Sequence, residues 1–171
     1  KKLGFTLVEL LAVVTIIGIL SAVAIAAYGE YVRRSRDAEA TAVLTDIRLK
    51  QEAYRATFHR YANPGTDWNP SFTKGVNGAV ARPWVTSLVG WRQLGVNVGG
   101  GEFFFAYTCQ GGSASDPTVA PLDDVTAPTD DYWFVARAVQ DLDQDSLCGG
   151  FQVSSFRTRI EEGPEEAGNC P

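Results

Sequence analysis

Residues 5–28 read FTLVELLAVVTIIGILSAVAIAAY, and Glu9 is the only charged residue among them. A helix needs about 20 apolar residues to cross a bilayer, and this stretch exceeds that length. A secretory signal peptide would have a shorter apolar core followed by a cleavage site, whereas here a helical pattern continues directly past the apolar run. The stretch therefore predicts a transmembrane helix.

Glu9 is unusual in such a helix because a carboxylate within lipid is costly. The cost is about 2 to 3 kcal/mol unless the group is paired, protonated or able to reach the interface. The simpler interpretation is a side chain that merely reaches the membrane surface. A buried ammonium and a buried carboxylate are each costly alone and tolerable as a pair, so we favour a paired Glu9.

The first nine residues, KKLGFTLVE, and the apolar run after them resemble the class III signal of type IV pilins and the related pseudopilins. The resemblance implies that a prepilin peptidase cleaves after Gly4 and that the new amino terminus at Phe5 is methylated. Residues 1–4 would then be the remnant of a leader. The resemblance also implies that Glu9 neutralises the amino terminus of an adjacent subunit in the filament core.

The same resemblance implies partners and a location. A type IV pilin subunit assembles with copies of itself and with other pilins, and an inner-membrane assembly platform and its cytoplasmic ATPase drive this step. The chain would first be a single-pass precursor in the bacterial inner membrane and then part of an extracellular pilus, or fimbrium. Within the family, the alternative is a periplasmic pseudopilin of a type II secretion system. Outside it, the alternative is a membrane-anchored, calcium-dependent binding module.

The helical pattern continues beyond the apolar run. Apolar or small residues recur there at spacings of three, four and seven, with charged residues between them, which predicts an amphipathic helix. We therefore expect one helix over about 6–61, made of a transmembrane or filament-core part (5–29) and an amphipathic part (30–62). Asn63-Pro64-Gly65 ends it.

The rest of the chain predicts a sheet. Residues 63–101 are rich in Gly, Pro, Asn and Trp and indicate a connecting loop. Aromatic and β-branched runs bounded by turn residues predict strands at 102–109, 132–140 and 151–160. The fold class is therefore α+β: a long N-terminal helix packed on an antiparallel sheet of three to four strands within 102–171, which is also the pilin fold.

Neither catalysis nor nucleic-acid binding is expected. The net charge is −5, so the chain lacks the basic field that nonspecific nucleic-acid binding requires. His59 is the only histidine, and we interpret it as a surface or capping residue because nothing places a nucleophile beside it. Gly111-Gly112 lacks the spacing of a phosphate-binding loop and predicts a turn. Trp68, Trp84 and Trp91 are interpreted as packing residues rather than a ligand cage.

One turn has the composition of a cation site. Asp141, Asp143 and Asp145 alternate between the last two predicted strands, where three carboxylates can face one calcium ion. An acidic turn without metal is the favoured interpretation, because short Asp-rich turns need no ion to form. No other cofactor is expected.

Three cysteines, Cys109, Cys148 and Cys170, permit at most one intramolecular disulfide. Pilins commonly tie their C-terminal segment to the sheet, so the resemblance implies a bond to Cys170. Placing Cys109 at the edge where the third strand exits slightly favours it as the partner. Cys148 is the alternative, because the tail from Glu161 onward is long enough to run back along the sheet.

Overall fold

The computed structural model describes most of the 171-residue chain, namely residues 6–72, 80–96, 98, 101–114, 128, 130–141 and 147–166. The chain divides into two compact units, Lys1–Asp37 and Ala38–Pro171. One helix, α1 (Leu7–Phe58), contributes residues to both.

The first unit consists, over its described residues, of the amino-terminal part of α1. Every described side chain from Thr6 to Gly29 is exposed. This part of the helix is long and apolar enough to cross a membrane, and none of it is buried within the chain. It matches the predicted transmembrane helix.

In the second unit, α1 is amphipathic as predicted. Four residues at spacings of four, three and four are fully buried and form its inner face: Ala40, Leu44, Ile47 and Gln51. These spacings place the side chains on one stripe of a helix with 3.6 residues per turn. The stripe packs in one core with residues of the sheet.

The helix ends at Phe58, a few residues before its predicted end. His59 follows with φ of 54°, and its N–H donates to the carbonyl oxygen of Arg55 over 2.8 Å. A residue in this left-handed conformation commonly terminates a helix. His59 is also exposed, which agrees with its interpretation as a surface or capping residue.

The described residues also form seven strands and one short helix. In chain order they are β1 (Gly65–Asn69), β2 (Arg82–Pro83), α2 (Val89–Leu94), β3 (Glu102–Phe103), β4 (Ala106–Gly112), β5 (Trp133–Gln140), β6 (Cys148–Ser154) and β7 (Glu161–Glu166). Five strands form one antiparallel sheet in the order β1-β4-β5-β6-β7, and β2 pairs with β3.

The α+β class is confirmed, but over the described residues the sheet has five strands rather than three to four. The predicted loop 63–101 contains β1, β2 and α2. The third predicted strand, 151–160, is replaced by β6, after which the chain turns and returns as β7. The sequence of β7, EEGPEE, escapes prediction because it lacks the apolar alternation of a strand. Its position at the edge of the sheet tolerates both charge and proline.

Gly111 and Gly112 lie within β4, so the turn predicted for them is wrong. A Cβ atom on Gly111 would lie 2.4 Å from the carbonyl oxygen of Ala62, and one on Gly112 would lie 2.2 Å from the ring of Trp133. No side chain fits at these distances. The two glycines allow the segment after α1 and the neighbouring strand to approach β4 closely.

An aromatic cluster occupies the core of the second unit: Trp84, Trp91, Phe103 and Tyr107. Neighbouring rings have centroids 5.1 to 6.2 Å apart, which suits edge-to-face packing. The packing role predicted for Trp84 and Trp91 is confirmed. Trp68 is half-buried, and its ring centroid lies 5.9 Å from the guanidinium carbon of Arg137.

Gln51 joins three parts of the second unit. Its Nε2 donates to the carbonyl oxygen of Ala62 over 2.9 Å, and its Oε1 accepts a hydrogen bond from the N–H of the same residue, also over 2.9 Å. Nε2 also lies 3.1 Å from Sγ of Cys109 in β4. The buried amide thus satisfies both backbone groups of Ala62, which holds the segment after the helix against α1.

We expect Gln51→Ala to lower the free energy of unfolding of the second unit by about 2 to 4 kcal/mol, because the change leaves a cavity and two buried backbone groups without partners. Urea unfolding of the full chain in detergent, followed by emission of the buried Trp84, Trp91 and Trp133, measures this loss. Lys50→Ala, on the exposed side of the same turn, is the control and should change stability by less than about 0.5 kcal/mol. Equal effects of the two substitutions would contradict the role given to Gln51.

Candidate functional site

Glu9 lies in the first turn of α1 and bonds to Thr6. The hydroxyl of Thr6 donates to Oε2 of Glu9 over 2.7 Å, and the N–H of Thr6 donates to the same oxygen over 2.9 Å. In return, the N–H of Glu9 donates to Oγ1 of Thr6 over 3.3 Å. This reciprocal arrangement is a capping box, which satisfies backbone donors at the start of a helix. The T-x-x-E spacing is its sequence signal, and Thr6 is the residue that the sequence analysis does not identify.

The surroundings of Glu9 are apolar and open. Leu7, Val8, Leu10 and Leu11 are each more than half exposed, and no described residue of the chain covers them. Within the described part of the chain, Oε1 of Glu9 receives no hydrogen bond. The carboxylate therefore has a free oxygen on an apolar surface, where it can accept a hydrogen bond from a cation of another chain. Gly4 and Phe5, the residues predicted for cleavage and methylation, lie outside the described residues.

A second charged group follows the apolar part of α1. Glu30 accepts hydrogen bonds from the guanidinium groups of Arg33, over 2.9 Å, and Arg34, over 3.1 Å. These pairs are one helical turn apart and exposed, so each contributes only a few tenths of a kcal/mol. They show where the apolar surface of the helix ends.

The states of the cysteines differ from the predicted disulfide. Cys109 is a free, fully buried thiol in the middle of β4, and Cys148 is disulfide-bonded. The favoured pairing of Cys109 with Cys170 is therefore wrong. The reason is β7, which pairs Glu166 with Cys148 and so returns the chain to the start of β6. Cys170 itself lies outside the described residues, and it is the one other cysteine left in the sequence for an intramolecular bond.

Burial controls the chemistry of Cys109. It raises the pKa of this thiol from 9.0 to about 12, and the hydrogen bond from Gln51 offsets only part of that rise. A thiol that stays protonated is neither a nucleophile nor a metal ligand. Cys109 is therefore a packing residue.

The predicted calcium turn is only partly described. Asp141 follows β5 and is fully buried, whereas Asp143 and Asp145 lie outside the described residues. Among the residues that the structure describes, no group of three or more His, Cys, Asp or Glu side chains is arranged to hold a metal. The calcium site stays a hypothesis.

One cavity lies beside α2 in the second unit. It has a volume of about 270 Å³ and is lined by Trp84, Thr86, Trp91, Arg92, Gly95 and Val96. These residues include no carboxylate, histidine or cysteine. The lining therefore holds one hydroxyl, that of Thr86, and no carboxylate or imidazole that could act on it as a general base.

Comparison with known proteins identifies the amino-terminal region. Residues 1–25 match the prokaryotic N-terminal methylation motif. The chain is 49% identical over 47 residues to type IV major fimbrial protein FimA of Dichelobacter nodosus, which covers 28% of this chain and 29% of FimA. It is 60% identical over 37 residues to fimbrial protein EcpC of Eikenella corrodens, or 22% of this chain and 24% of EcpC.

A longer match reaches into the second unit. The chain is 32% identical over 105 residues to fimbrial protein Q of Moraxella bovis, which covers 58% of this chain and 60% of that protein. The matches thus span less than two thirds of these relatives. No solved structure matches the chain. The methylation motif and the named fimbrial relatives support the predicted resemblance to the type IV pilin family.

We expect peptide mapping without reduction to find Cys148 linked to Cys170 and Cys109 unmodified by alkylating reagents in the folded chain. Between pH 9 and 10 an unfolded thiol is largely ionised, whereas folded Cys109, with a pKa of about 12, is not. Alkylation of Cys109 should therefore require unfolding. Reduction of the disulfide should lower stability by about 3 kcal/mol. Rapid alkylation of Cys109 in the folded chain would contradict its burial.

We expect the melting temperature of the full chain to be the same in chelator and in excess calcium, as an acidic turn without metal predicts. The double variant Asp143→Asn with Asp145→Asn should also have the same melting temperature in chelator and in excess calcium. A calcium-dependent rise that this variant abolishes would instead assign a cation to the turn, because ligands that bind only the folded state stabilise it.

Proposed function

We propose that the chain is a type IV pilin subunit, major or minor, that polymerises into a surface filament. The observation that carries the proposal is the first unit: an exposed apolar helix with one carboxylate, Glu9, within the region that matches the methylation motif. The similarity to fimbrial proteins supports it.

The exposed surface of α1 requires a covering that the described chain does not supply. Burial of apolar surface contributes about 25 cal/mol for each Å² removed from water, so a helix of this kind is stable in lipid or against other apolar helices. The helix would occupy both environments, first lipid and then the filament. The precursor lies in the inner membrane, and the assembled subunit has its helix among those of its neighbours.

Glu9 links the two environments. Cleavage after Gly4 creates an ammonium group at Phe5, and in the filament this group of one subunit meets Glu9 of another. A carboxylate and an ammonium within an apolar environment attract strongly and are costly when apart. The free oxygen Oε1 is available for that contact, while Oε2 keeps its bonds to Thr6.

The proposal includes the proteins that assemble such filaments. A prepilin peptidase would remove residues 1–4 and methylate Phe5, and an inner-membrane platform with its cytoplasmic ATPase would extract the subunit from the bilayer. The second unit would lie in the periplasm before assembly, where its disulfide at Cys148 can form.

We expect Glu9→Ala to abolish filaments while cleavage and membrane insertion continue, because the substitution removes the partner of the neighbouring amino terminus. It also removes the hydrogen bonds to Thr6, which the control variant tests separately. Electron microscopy of sheared filaments, with mass spectrometry of the subunit, gives both measurements. Thr6→Ala is the matched control: it removes the intrasubunit bonds of the capping box and keeps the carboxylate, so filaments should persist with a less stable helix start.

Two outcomes would contradict the proposal. Normal filaments from Glu9→Ala would show that the carboxylate is not needed for assembly. Absence of surface filaments from the unsubstituted chain, together with loss of protein secretion on its deletion, would favour the pseudopilin of a type II secretion system.

A further inference from the structure

On the second unit, α1 passes the turn between β6 and β7, and this turn carries two exposed arginines, Arg157 and Arg159. Nη1 of Arg48 donates to the carbonyl oxygen of Thr158 over 2.8 Å. This contact brings the guanidinium of Arg48 next to the two residues that flank Thr158, Arg157 and Arg159. We call Arg48, Arg157 and Arg159 the basic patch.

The basic patch is only partly neutralised. Nη1 of Arg157 lies 2.5 Å from Oε1 of Glu161. Arg48 and Arg159 form no ion pair in the described part of the chain. Glu52, one turn beyond Arg48 on α1, accepts a hydrogen bond from the hydroxyl of Tyr61 over 3.1 Å. Two positive charges therefore remain on the surface of a chain whose net charge is −5.

We infer that the basic patch binds a carboxylate-bearing surface of a second copy of this chain. The inference rests on the proposed function and names a contact outside the apolar helix. Identical chains of charge −5 repel one another when they are packed closely, so their packing requires local contacts of opposite charge. Four exposed carboxylates that form no ion pair among the described residues are available on a second copy: Asp67, Glu102, Asp130 and Glu162.

Nucleic acid is the less suitable partner for the basic patch. Its binding strength depends on how many phosphates are contacted by arginine and lysine. The patch offers two arginines without an ion pair, and the net charge of the chain repels a polyanion. A surface that carries scattered carboxylates matches a patch of this size better.

The first test reverses the charge of the patch. We expect Arg48→Glu with Arg159→Glu to reduce sheared filaments at least about tenfold, because like charges then face each other across the contact. Arg60→Glu with Arg92→Glu changes the net charge equally at two exposed arginines elsewhere and should leave filaments within about twofold of the unsubstituted chain. Arg159→Glu alone, at an exposed residue that forms no ion pair among the described residues, covers the case in which the double variant unfolds.

The second test detects the contact directly. In membranes or filaments that contain Arg159→Lys, a zero-length carbodiimide should couple the introduced amine to a carboxylate of another copy, and peptide mapping of the covalent dimer should find the amide at position 159. Arg60→Lys is the control and should give far less dimer linked through position 60.

The outcomes separate this inference from the proposed function. If the unsubstituted chain forms no filaments, the proposed function fails, and the coupling experiment in membranes decides the inference. The inference is overturned if both charge-reversed pairs assemble alike, whether fully or not at all, or if no dimer forms through position 159. It is also overturned if the unsubstituted chain binds duplex DNA and the double variant Arg48→Glu with Arg159→Glu does not.

Discussion

The structure depends first on the apolar surface of the amino-terminal part of α1. Side chains such as Leu10, Ile16 and Leu20 are each exposed by more than half, and each buried methylene is worth about 0.8 kcal/mol. Such a surface is unstable in water and stable in lipid, where every backbone N–H and C=O must be satisfied internally. A helix meets that requirement. The same constraint disfavours charged residues in the segment. Glu9, the one carboxylate there, therefore needs a partner.

Glu9 satisfies two demands with its two oxygens. Oε2 accepts both hydrogen bonds from Thr6, so the start of the helix is capped within one chain. The negative charge still needs a cation. Within the described residues of the first unit, the nearest cation along the helix is Arg33, about 36 Å away at 1.5 Å per residue. The proposed cleavage would remove Lys1 and Lys2 and leave an ammonium at Phe5, which makes a neighbouring amino terminus the available partner.

The sequence predicts those parts of the molecule that repeat a simple pattern. The apolar run is recognised by its length and composition, and the amphipathic continuation of α1 by its period of 3.6 residues. β5 is recognised as a run of aromatic and β-branched residues between turns. β1 and β7 lie at the edges of the sheet, where backbone pairing matters more than side-chain burial, and GTDWN and EEGPEE show no such period. Missing β7 also misplaced the disulfide, because the pairing of β7 with β6, which sets Glu166 opposite Cys148, has no signal in the sequence. Glu9 was accessible to sequence reasoning because a charge in an apolar run needs no tertiary information to be noticed.

Polar contacts fix how α1 lies on the sheet in the second unit. Glu39 accepts hydrogen bonds from the N–H of Phe104 over 3.2 Å and from the hydroxyl of Tyr107 over 3.0 Å. Gln51, about 18 Å further along the helix, binds Ala62 and the thiol of Cys109. Apolar side chains such as Leu44 would pack nearly as well after a shift of one turn, whereas these directional bonds to the start and the middle of β4 and to Ala62 would all be lost. The burial of apolar surface therefore provides most of the stability, and the two polar residues select one position of the helix on the sheet.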